Sequence, residues 1–286
     1  MLELCQPPDP KPRAPKLKCP PGTTDSHIHI YGPQNRFPEG PTAKFAAPDA
    51  LPPAYRHLAE VLGIERVVAV QPSTYGFDNS RQLTALAEIG LPGRAVVAVP
   101  FDVSARELER LHEAGARGVR YAVGHANSPS FEEIARFAER LTPLQWHVEF
   151  HLVKPLVLAK AKAVLSSFPV DIVVAHIASI DPAAGTGQPD FQTLCELLRA
   201  GHCWVKVSAG YRISAEAPYR DVVPFVRTLV DLRLDHLLWG TDWPHVNFKG
   251  IMPNTTESLD CLLEWVPEEE ARRQILVDNP KILYGF

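Results

Sequence analysis

The sequence predicts an α/β protein with a (β/α)₈ barrel, and two observations carry this prediction. From Thr23 onward, eight short runs rich in β-branched residues alternate with amphipathic helical stretches, which is typical of βα units in a parallel sheet. Eight strands and eight helices in about 265 residues match the size of such a barrel. An open doubly wound sheet is the alternative, but it would rarely need eight strands, and no glycine-rich phosphate loop follows the first run.

The predicted elements follow one another in a regular order. The strands are predicted at Thr24–Ile30, Arg66–Pro72, Ala95–Phe101, Gly118–Ala122, Trp146–Leu152, Asp171–Ile177, Cys203–Ser208 and His236–Thr241. Helical patterns follow at about residues 52–62, 78–90, 104–115, 130–141, 155–167, 189–200, 221–233 and 255–265, and a ninth lies at about 267–277. We therefore predict a single barrel domain over residues 22–286.

Three of the predicted strands alternate polar with apolar residues. The polar sets are Asp25, His27 and His29 on the first strand, His147, Glu149 and His151 on the fifth, and Lys206 and Ser208 on the seventh. Because alternate residues of a strand share a face, the apolar sets fit against the helices and the polar sets face the barrel interior. Buried polar groups are costly unless they are paired. For the deeper groups, a structural polar network is the expected role.

The regions outside this pattern are the N-terminus and two long connections. Residues 1–21 carry seven prolines, and we expect a flexible tail because such a stretch buries little apolar surface. Tyr31–Pro53 and Ala178–Pro189 follow the first and sixth strands, so both are expected over the mouth of the barrel, where long loops shape substrate pockets. A passive surface loop is an equally good interpretation of the second connection.

Composition excludes several classes of protein. The net charge of −4 gives no basic footprint for nucleic acid, and no apolar run approaches the roughly 20 residues that a membrane span needs. The five cysteines form no Cys-x-x-Cys pair, which argues against a disulfide framework or a thiolate zinc site. The N-terminus lacks the apolar core of a secretory signal. We expect a cytoplasmic protein, a monomer or a small homo-oligomer.

Four residues at the ends of predicted strands are the strongest functional signal. His27 and His29 end the first strand, His176 ends the sixth and Asp242 follows the eighth. The carboxyl ends of barrel strands meet at one mouth, where such barrels keep their active sites. A His-x-His pair alone is more often just a polar strand end, but the ordered quartet predicts a catalytic site. Asp242 is a candidate general base, and the histidines suit a zinc or manganese ion, direct polarisation of a carbonyl, or both.

Further polar residues at the strand ends are candidates for substrate binding. Arg120 ends the fourth strand and Arg212 follows the seventh, and guanidinium groups at a barrel mouth suit a carboxylate or sulfonate. Either arginine alone is more often part of a surface ion pair. The remaining candidates are Ser73, Tyr75, His151 and His245.

These motifs resemble the amidohydrolase superfamily. The resemblance lies in Asp25-Ser26-His27-Ile28-His29, Val174-Ala175-His176, the run from Lys206 to Arg212, the run from Trp239 to His245, and Asn279-Pro280. Within the superfamily the chain looks like the 2-pyrone-4,6-dicarboxylate lactonase branch, a placement strengthened by Gln71-Pro72-Ser73, Asp78-Asn79, Gly118-Val119-Arg120 and Trp146-His147-Val148-Glu149. The likeness covers about residues 22–286.

The resemblance implies a distorted TIM barrel that hydrolyses a small lactone bearing acidic groups. It implies Asp242 as the base, His27, His29 and His176 around the lactone carbonyl, and two arginines on the substrate's acid groups. Lactonases of this branch are generally taken to work without a metal, whereas relatives acting on sulfonated lactones are thought to use one. The dicarboxylate lactonases carry a further arginine where this chain has Ala126, so a lactone with one acid group or other substituents is more attractive.

From these residues we expect an enzyme that opens a small anionic unsaturated lactone during the breakdown of aromatic compounds. No metal is required in this hypothesis; a bound zinc or manganese would sit on His27, His29, His176 and Asp242. The alternatives are a metal-dependent decarboxylase or amidohydrolase, a sugar-acid lactone isomerase, and a non-catalytic protein that binds small acids.

Overall fold

Eight parallel strands form one sheet in the order of the chain, and this confirms the predicted barrel. The computed structural model describes residues 2–41, 43–125, 127–153, 157–215 and 217–286. The strands are β1 (Thr24–Ile28), β2 (Arg66–Val70), β3 (Gly93–Val97), β4 (Ala116–Val123), β5 (His147–Leu152), β6 (Ile172–Val174), β7 (Cys203–Lys206) and β8 (Leu237–Leu238).

The barrel closes where the chain beyond β8 runs beside β1. The backbone N–H of Ser26 donates to the carbonyl of Trp239 at 3.0 Å, and the N–H of His29 donates to that of Trp243 at 2.8 Å. Gly240 allows this approach, since a Cβ there would lie 2.6 Å from the backbone nitrogen of His27. The closure therefore brings the segment that carries Asp242 alongside the histidine pair.

Helices surround the strands and cover the ends of the barrel. They are α1 (Pro52–Leu62), α2 (Ser80–Ile89), α3 (Ala105–Glu113), α4 (Phe131–Ala138), α5 (Val157–Leu165), α6 (Pro189–Ala200), α7 (Gly210–Ile213), α8 (Val223–Arg233), α9 (Thr255–Asp260), α10 (Leu262–Trp265), α11 (Glu269–Arg273) and α12 (Asn279–Tyr284). In the part of the chain that the structure describes, none of the helices is long and apolar enough to cross a membrane.

The structure corrects the limits of several predicted elements near the C-terminus. The predicted helix at 255–265 is divided at Cys261 into α9 and α10, and the one at 267–277 becomes α11 followed by a π turn. The sequence did not predict α12, although Pro280 lies in its first turn. Proline is tolerated there because the π turn directly before α12 already departs from the regular α-helical hydrogen-bond pattern that a proline interrupts.

Six strands end earlier than the sequence predicts, and the early ends of β1, β6 and β8 bear on the site. β1 stops at Ile28, and β8 is only Leu237–Leu238 because the chain then follows β1 through the closing contacts. β6 stops at Val174 rather than Ile177, since the next turn has a left-handed backbone: the φ angles of residues 176–179 lie between 50° and 58°. His176 therefore lies on a tight turn and not on the strand.

The N-terminal segment differs from the expected flexible tail. Residues 2–21 lie in extended form against the barrel, with the N–H of Cys5 donating to Ala46 O at 2.8 Å. The side-chain oxygen of Asp260 accepts from the backbone of Lys16 at 2.9 Å and of Leu17 at 3.0 Å, and Leu17 is buried. Specific backbone hydrogen bonds thus hold a segment that has few apolar side chains.

Candidate active site

The four predicted residues meet at the mouth of the barrel. The Oδ1 atom of Asp242 lies 3.6 Å from Nε2 of His27, 3.7 Å from Nε2 of His29 and 3.7 Å from Nε2 of His176. All four side chains are buried. Backbone strain accompanies this convergence, because Asp242 and His176 both have left-handed φ angles, 58° and 53°. Such conformations cost about 1 to 3 kcal/mol each and cluster at functional sites.

The carboxylate of Asp242 uses its two oxygens differently. Oδ2 accepts hydrogen bonds from the Tyr211 hydroxyl at 2.5 Å and from Arg212 Nε at 2.6 Å, whereas Oδ1 faces the imidazoles. Burial alone would raise the pKa of Asp242, but Arg212 and the neighbouring imidazoles together hold the pKa well below its usual range. Asp242 is therefore ionised near neutral pH, and one of its oxygens is directed at the site.

The three imidazoles are neutral at that pH. Burial lowers the pKa of His176 to about 4. Burial, and then the charge of Arg120, lowers the pKa of His29 to about 3. For His27, burial followed by the charge of Lys206 holds the pKa well below the usual range. The negative charge of Asp242 is consequently not neutralised by a histidinium ion.

Neighbours of His29 and His27 fix which ring nitrogen carries the proton. Nδ1 of His29 lies 2.7 Å from the carbonyl of Val70 and must donate to it, which leaves Nε2 as an acceptor. Nδ1 of His27 lies 3.1 Å from the Lys206 ammonium, which can only donate. Oε1 of Glu149 lies 3.2 Å from the same nitrogen, but it accepts no hydrogen bond among the described residues. His27 therefore carries its proton on Nε2, which lies 3.3 Å from the accepting Nε2 of His29.

A second layer of polar groups lies beneath the histidines. Lys206 donates to Glu149 Oε2 at 2.6 Å and to the carbonyl of Ser26 at 2.8 Å, besides its contact with His27. Burial alone would raise the pKa of Glu149, but the charge of Lys206 lowers it, so the pair is ionic. Asp25 lies nearby and accepts from the backbone and hydroxyl of Thr241 at 2.9 and 2.6 Å. This layer has the contacts of a structural polar network.

A divalent metal is the group that such a cluster suggests. Among the described residues, His27, His29 and Asp242 place ligand atoms within 4.8 Å of one another. His29 Nε2 and Asp242 Oδ1 offer free lone pairs, but His27 Nε2 carries a proton because Lys206 occupies Nδ1. Metal-bound histidines instead donate their outer N–H to an acceptor. With this placement of protons, His27 and His29 cannot both bind a metal ion through Nε2.

The two candidate arginines have different surroundings. Arg212 is turned back onto Asp242 and also donates to Val246 O at 3.0 Å, so its first partner is the carboxylate and not an open site. Arg120 donates to the carbonyl of Gln71 at 2.8 Å, and its buried Nε has no hydrogen-bond partner among the described residues. Arg120 is thus the arginine with donors left for a ligand.

The other predicted site residues divide into two groups. Ser73 lines a cleft beside Arg120, and the ring of His151 lies 5.7 Å from that of His176. Tyr75 instead supports the loop after β1, accepting from the N–H of Gly32 at 2.9 Å. His245 contacts Thr255 Oγ1 at 2.9 Å and packs on Tyr211. Ala126, where the sequence departs from the expected arginine, lies outside the described residues.

Sequence reasoning assigned no role to two residues that contact the quartet. Tyr211 donates to Asp242, as described above, and the hydroxyl of Ser208 lies 2.9 Å from Nδ1 of His176. Ser208 had only the strand-seven alternation as a signal. Tyr211 stood inside a recognised motif, but only the four-residue helix α7 shows that its hydroxyl reaches Asp242.

An eight-stranded barrel with His27 on β1, His29 directly after it, a third histidine after β6 and an aspartate after β8 defines a hydrolase of the amidohydrolase type. The chain belongs to the amidohydrolase family, whose model matches residues 24–286. This confirms the resemblance predicted from the motifs.

Named relatives cover most of this chain. It is 38% identical over 275 residues to a 4-sulfomuconolactone hydrolase of Hydrogenophaga intermedia, covering 93% of this chain and 89% of that protein. It is 34% identical to a 2-pyrone-4,6-dicarboxylate hydrolase of Comamonas testosteroni, covering 96% and 93%. A solved structure of a probable 2-pyrone-4,6-dicarboxylic acid hydrolase from Acinetobacter baumannii with citric acid bound has a TM-score of 0.82 and 26% identity, covering 93% of this chain and 100% of that chain.

Proposed function

We propose that this protein hydrolyses a small anionic unsaturated lactone, of the 2-pyrone or muconolactone carboxylate type, in the breakdown of aromatic compounds. The observation that carries the proposal is the carboxylate of Asp242. It is buried and ionised, Tyr211 and Arg212 hold one oxygen, and the other oxygen faces three neutral imidazoles. The relatives named as lactone hydrolases support the same substrate class.

The reaction begins with a water molecule beside Asp242. Oδ1 of Asp242 takes a proton from the water as its oxygen forms a bond to the lactone carbonyl carbon, and the carbonyl π electrons move onto the oxygen. His27 carries a proton on Nε2 and stabilises that oxyanion by a hydrogen bond. Donors placed in advance at a developing oxyanion typically contribute about 3 to 4 kcal/mol each.

Ring opening completes the reaction. The oxyanion re-forms a carbonyl and the bond to the ring oxygen breaks, so that oxygen leaves as an enolate from a 2-pyrone and as an alkoxide from a muconolactone. Protonated Asp242 returns the proton, which restores the carboxylate and gives the ring-opened acid. Arg120 holds the acid group of the substrate through the guanidinium donors that Gln71 does not occupy.

The test is a turnover assay with a panel of lactone acids. Purified protein is mixed with 2-pyrone-6-carboxylate, 2-pyrone-4,6-dicarboxylate, muconolactone and 4-sulfomuconolactone, and ring opening is followed by ultraviolet absorbance. We expect turnover of at least one compound, and weaker binding of it by Arg120→Gln than by Arg106→Gln, a control on the outer helix α3. No turnover of any member would contradict the proposal.

The same assay separates the metal-dependent alternative. Aliquots are treated with a chelator, with zinc or with manganese, and metal content is measured by mass spectrometry. We expect turnover to survive the chelator because His27 does not offer Nε2 as a ligand. Loss of turnover on chelation, with recovery on adding one metal ion per chain, would favour a metal hydrolase.

A further inference from the structure

A large cleft opens beside the candidate active site, between the loops that follow β2, β3 and β4. Its volume is about 580 Å³, which is within the range of small-molecule sites. Most of its wall is apolar, with side chains from Pro72, Phe77, Ala98, Val99, Pro100 and Phe101. A pocket of about 150 Å³ already accepts benzene, so the cleft is large enough for a ring or an alkyl chain.

Two of the side chains on this wall are exposed phenylalanines. Phe77 is 61% exposed and Phe101 is 39% exposed. Phe101 is held by ring contacts with Tyr121 and Phe137 at 5.8 and 5.4 Å, whereas no aromatic partner of Phe77 is found among the described residues. Clustered exposed apolar side chains beside a cavity mark a binding surface more often than scattered ones do.

Arg120 connects the cleft to the catalytic cluster. It lines the cleft and donates to the carbonyl of Gln71, the residue next to Val70, whose carbonyl lies 2.7 Å from Nδ1 of His29. A ligand whose acid group binds Arg120 can therefore reach the histidines on one side and the apolar wall on the other.

The charges around the cleft limit what can fill it. Arg120 and Glu133 are its charged residues among those described, and Glu133 accepts from the backbone N–H of Ser130 at 2.8 Å as part of a helix cap. One guanidinium can hold one acid group, and no second cation is available in the described wall for another. An apolar substituent is the chemistry that this wall favours.

We propose that the lactone substrate carries an apolar substituent, an aryl or alkyl group, that binds in this cleft while its single acid group binds Arg120. This inference rests on the proposed function and specifies its substrate class. Each methylene buried in the cleft strengthens binding about fourfold, and a phenyl group strengthens it at least about tenfold.

The experiment measures binding and turnover separately. Isothermal titration calorimetry compares benzoate with 3-phenylbenzoate and 4-phenylbenzoate, planar acids that cannot be hydrolysed. In parallel, turnover of 2-pyrone-6-carboxylate is compared with that of derivatives bearing methyl, propyl or phenyl at ring positions 3, 4 or 5. Both series use the wild type, Phe77→Ser, Ala98→Leu, which fills the cleft, and the control Ile282→Ser, whose side chain is 70% exposed on α12.

We expect at least one phenylbenzoate to bind the wild type about tenfold or more tightly than benzoate does. Phe77→Ser and Ala98→Leu should each reduce this ratio, and Ile282→Ser should not. A wild-type ratio near one for both isomers, or a ratio that neither cleft variant changes, would overturn the inference. If the ratio is as expected and no pyrone acid is hydrolysed, the cleft is real and the proposed hydrolysis is wrong.

Discussion

Two buried ion pairs occupy different levels of the same barrel, and they are built differently. At the mouth, Asp242 pairs with Arg212 at 2.6 Å, and a quarter of the arginine side chain is exposed. One layer below, Glu149 pairs with Lys206 at 2.6 Å, and both side chains are fully buried. The upper pair leaves a carboxylate oxygen directed at the imidazoles, whereas the ammonium of the lower pair has three acceptors for its three protons.

In the proposed mechanism, the upper pair supplies the reacting group and the lower pair supports it. The upper carboxylate has an oxygen that can exchange a proton with a substrate water. The lower pair is buried beneath the histidines. It influences the site through His27, because Lys206 keeps the proton of that imidazole on Nε2. The comparison therefore predicts that breaking the upper pair changes turnover, and that breaking the lower pair changes stability first.

The largest effect is expected from removing the upper carboxylate. Asp242→Asn should reduce kcat by about four orders of magnitude, the upper end of what a general base contributes. The fold should remain, because the amide oxygen can still accept from Tyr211 and Arg212. Steady-state kinetics and circular dichroism on the same preparation check both statements. Turnover within tenfold of the wild type would contradict the role of Asp242 as base.

The next effect is expected from breaking the lower pair. Lys206→Met leaves the buried Glu149 carboxylate without its cation, and this should lower the free energy of unfolding by about 3 to 5 kcal/mol. The measurement is urea unfolding followed by tryptophan fluorescence.

A double variant keeps this prediction testable if the single variant folds poorly. Lys206→Met with Glu149→Leu removes both charges, so most of the lost stability should return. His27 should then be free to carry its proton on Nδ1, and zinc should bind more tightly than to the wild type. If the double variant were as unstable as Lys206→Met, the ion pair would not be the cause of the loss.

The smallest expected effect per residue is the change in folding stability with pH. The same pH series distinguishes an effect on stability from an effect on turnover. Below pH 6.5 an unfolded chain binds protons on histidines that the folded chain keeps neutral, so each such histidine removes about 1.4 kcal/mol of stability per pH unit. The folded-state pKa is lowered for His27, His29, His147, His151, His176 and His245. Stability should therefore be full above pH 6.5 and be lost as the pH falls toward 4.

Asp25 acts in the opposite direction, because burial raises its pKa to about 6, but one carboxyl does not offset six imidazoles. Turnover per folded molecule should stay nearly constant over the same range, since Asp242 remains ionised. Thermal melts and kcat measured from pH 4.5 to 8 test this. A melting temperature that is unchanged down to pH 4.5 would contradict it.

The fold and the convergence of the four site residues could be predicted because both depend on short patterns. Strand periodicity located all eight strands, and the motifs at their ends located His27, His29 and Asp242. The left-handed turn at His176 could not be predicted. A glycine usually marks such a backbone, and the segment Ala175-His176-Ile177-Ala178-Ser179 contains none. Only the surrounding contacts select it.

The sequence also could not predict which group each polar side chain contacts. Nothing in the sequence indicated that Arg212 contacts Asp242, a contact made because α7 folds its guanidinium back toward the end of β8. The cleft beside Arg120 was also missed, since its walls come from three separate loops. Such a surface has no periodicity that one segment can display.

The prolines of the N-terminal segment have a thermodynamic consequence. A run of seven prolines in 21 residues is usual in disordered chains, yet here residues 2–21 lie ordered along the barrel. Each proline ring fixes φ before folding and so reduces the backbone entropy that ordering removes. A few hydrogen bonds to residues such as Asn254 and Asp260 are then enough to hold the segment. The same composition that keeps a chain from forming a core makes it easy to immobilise on a core that already exists.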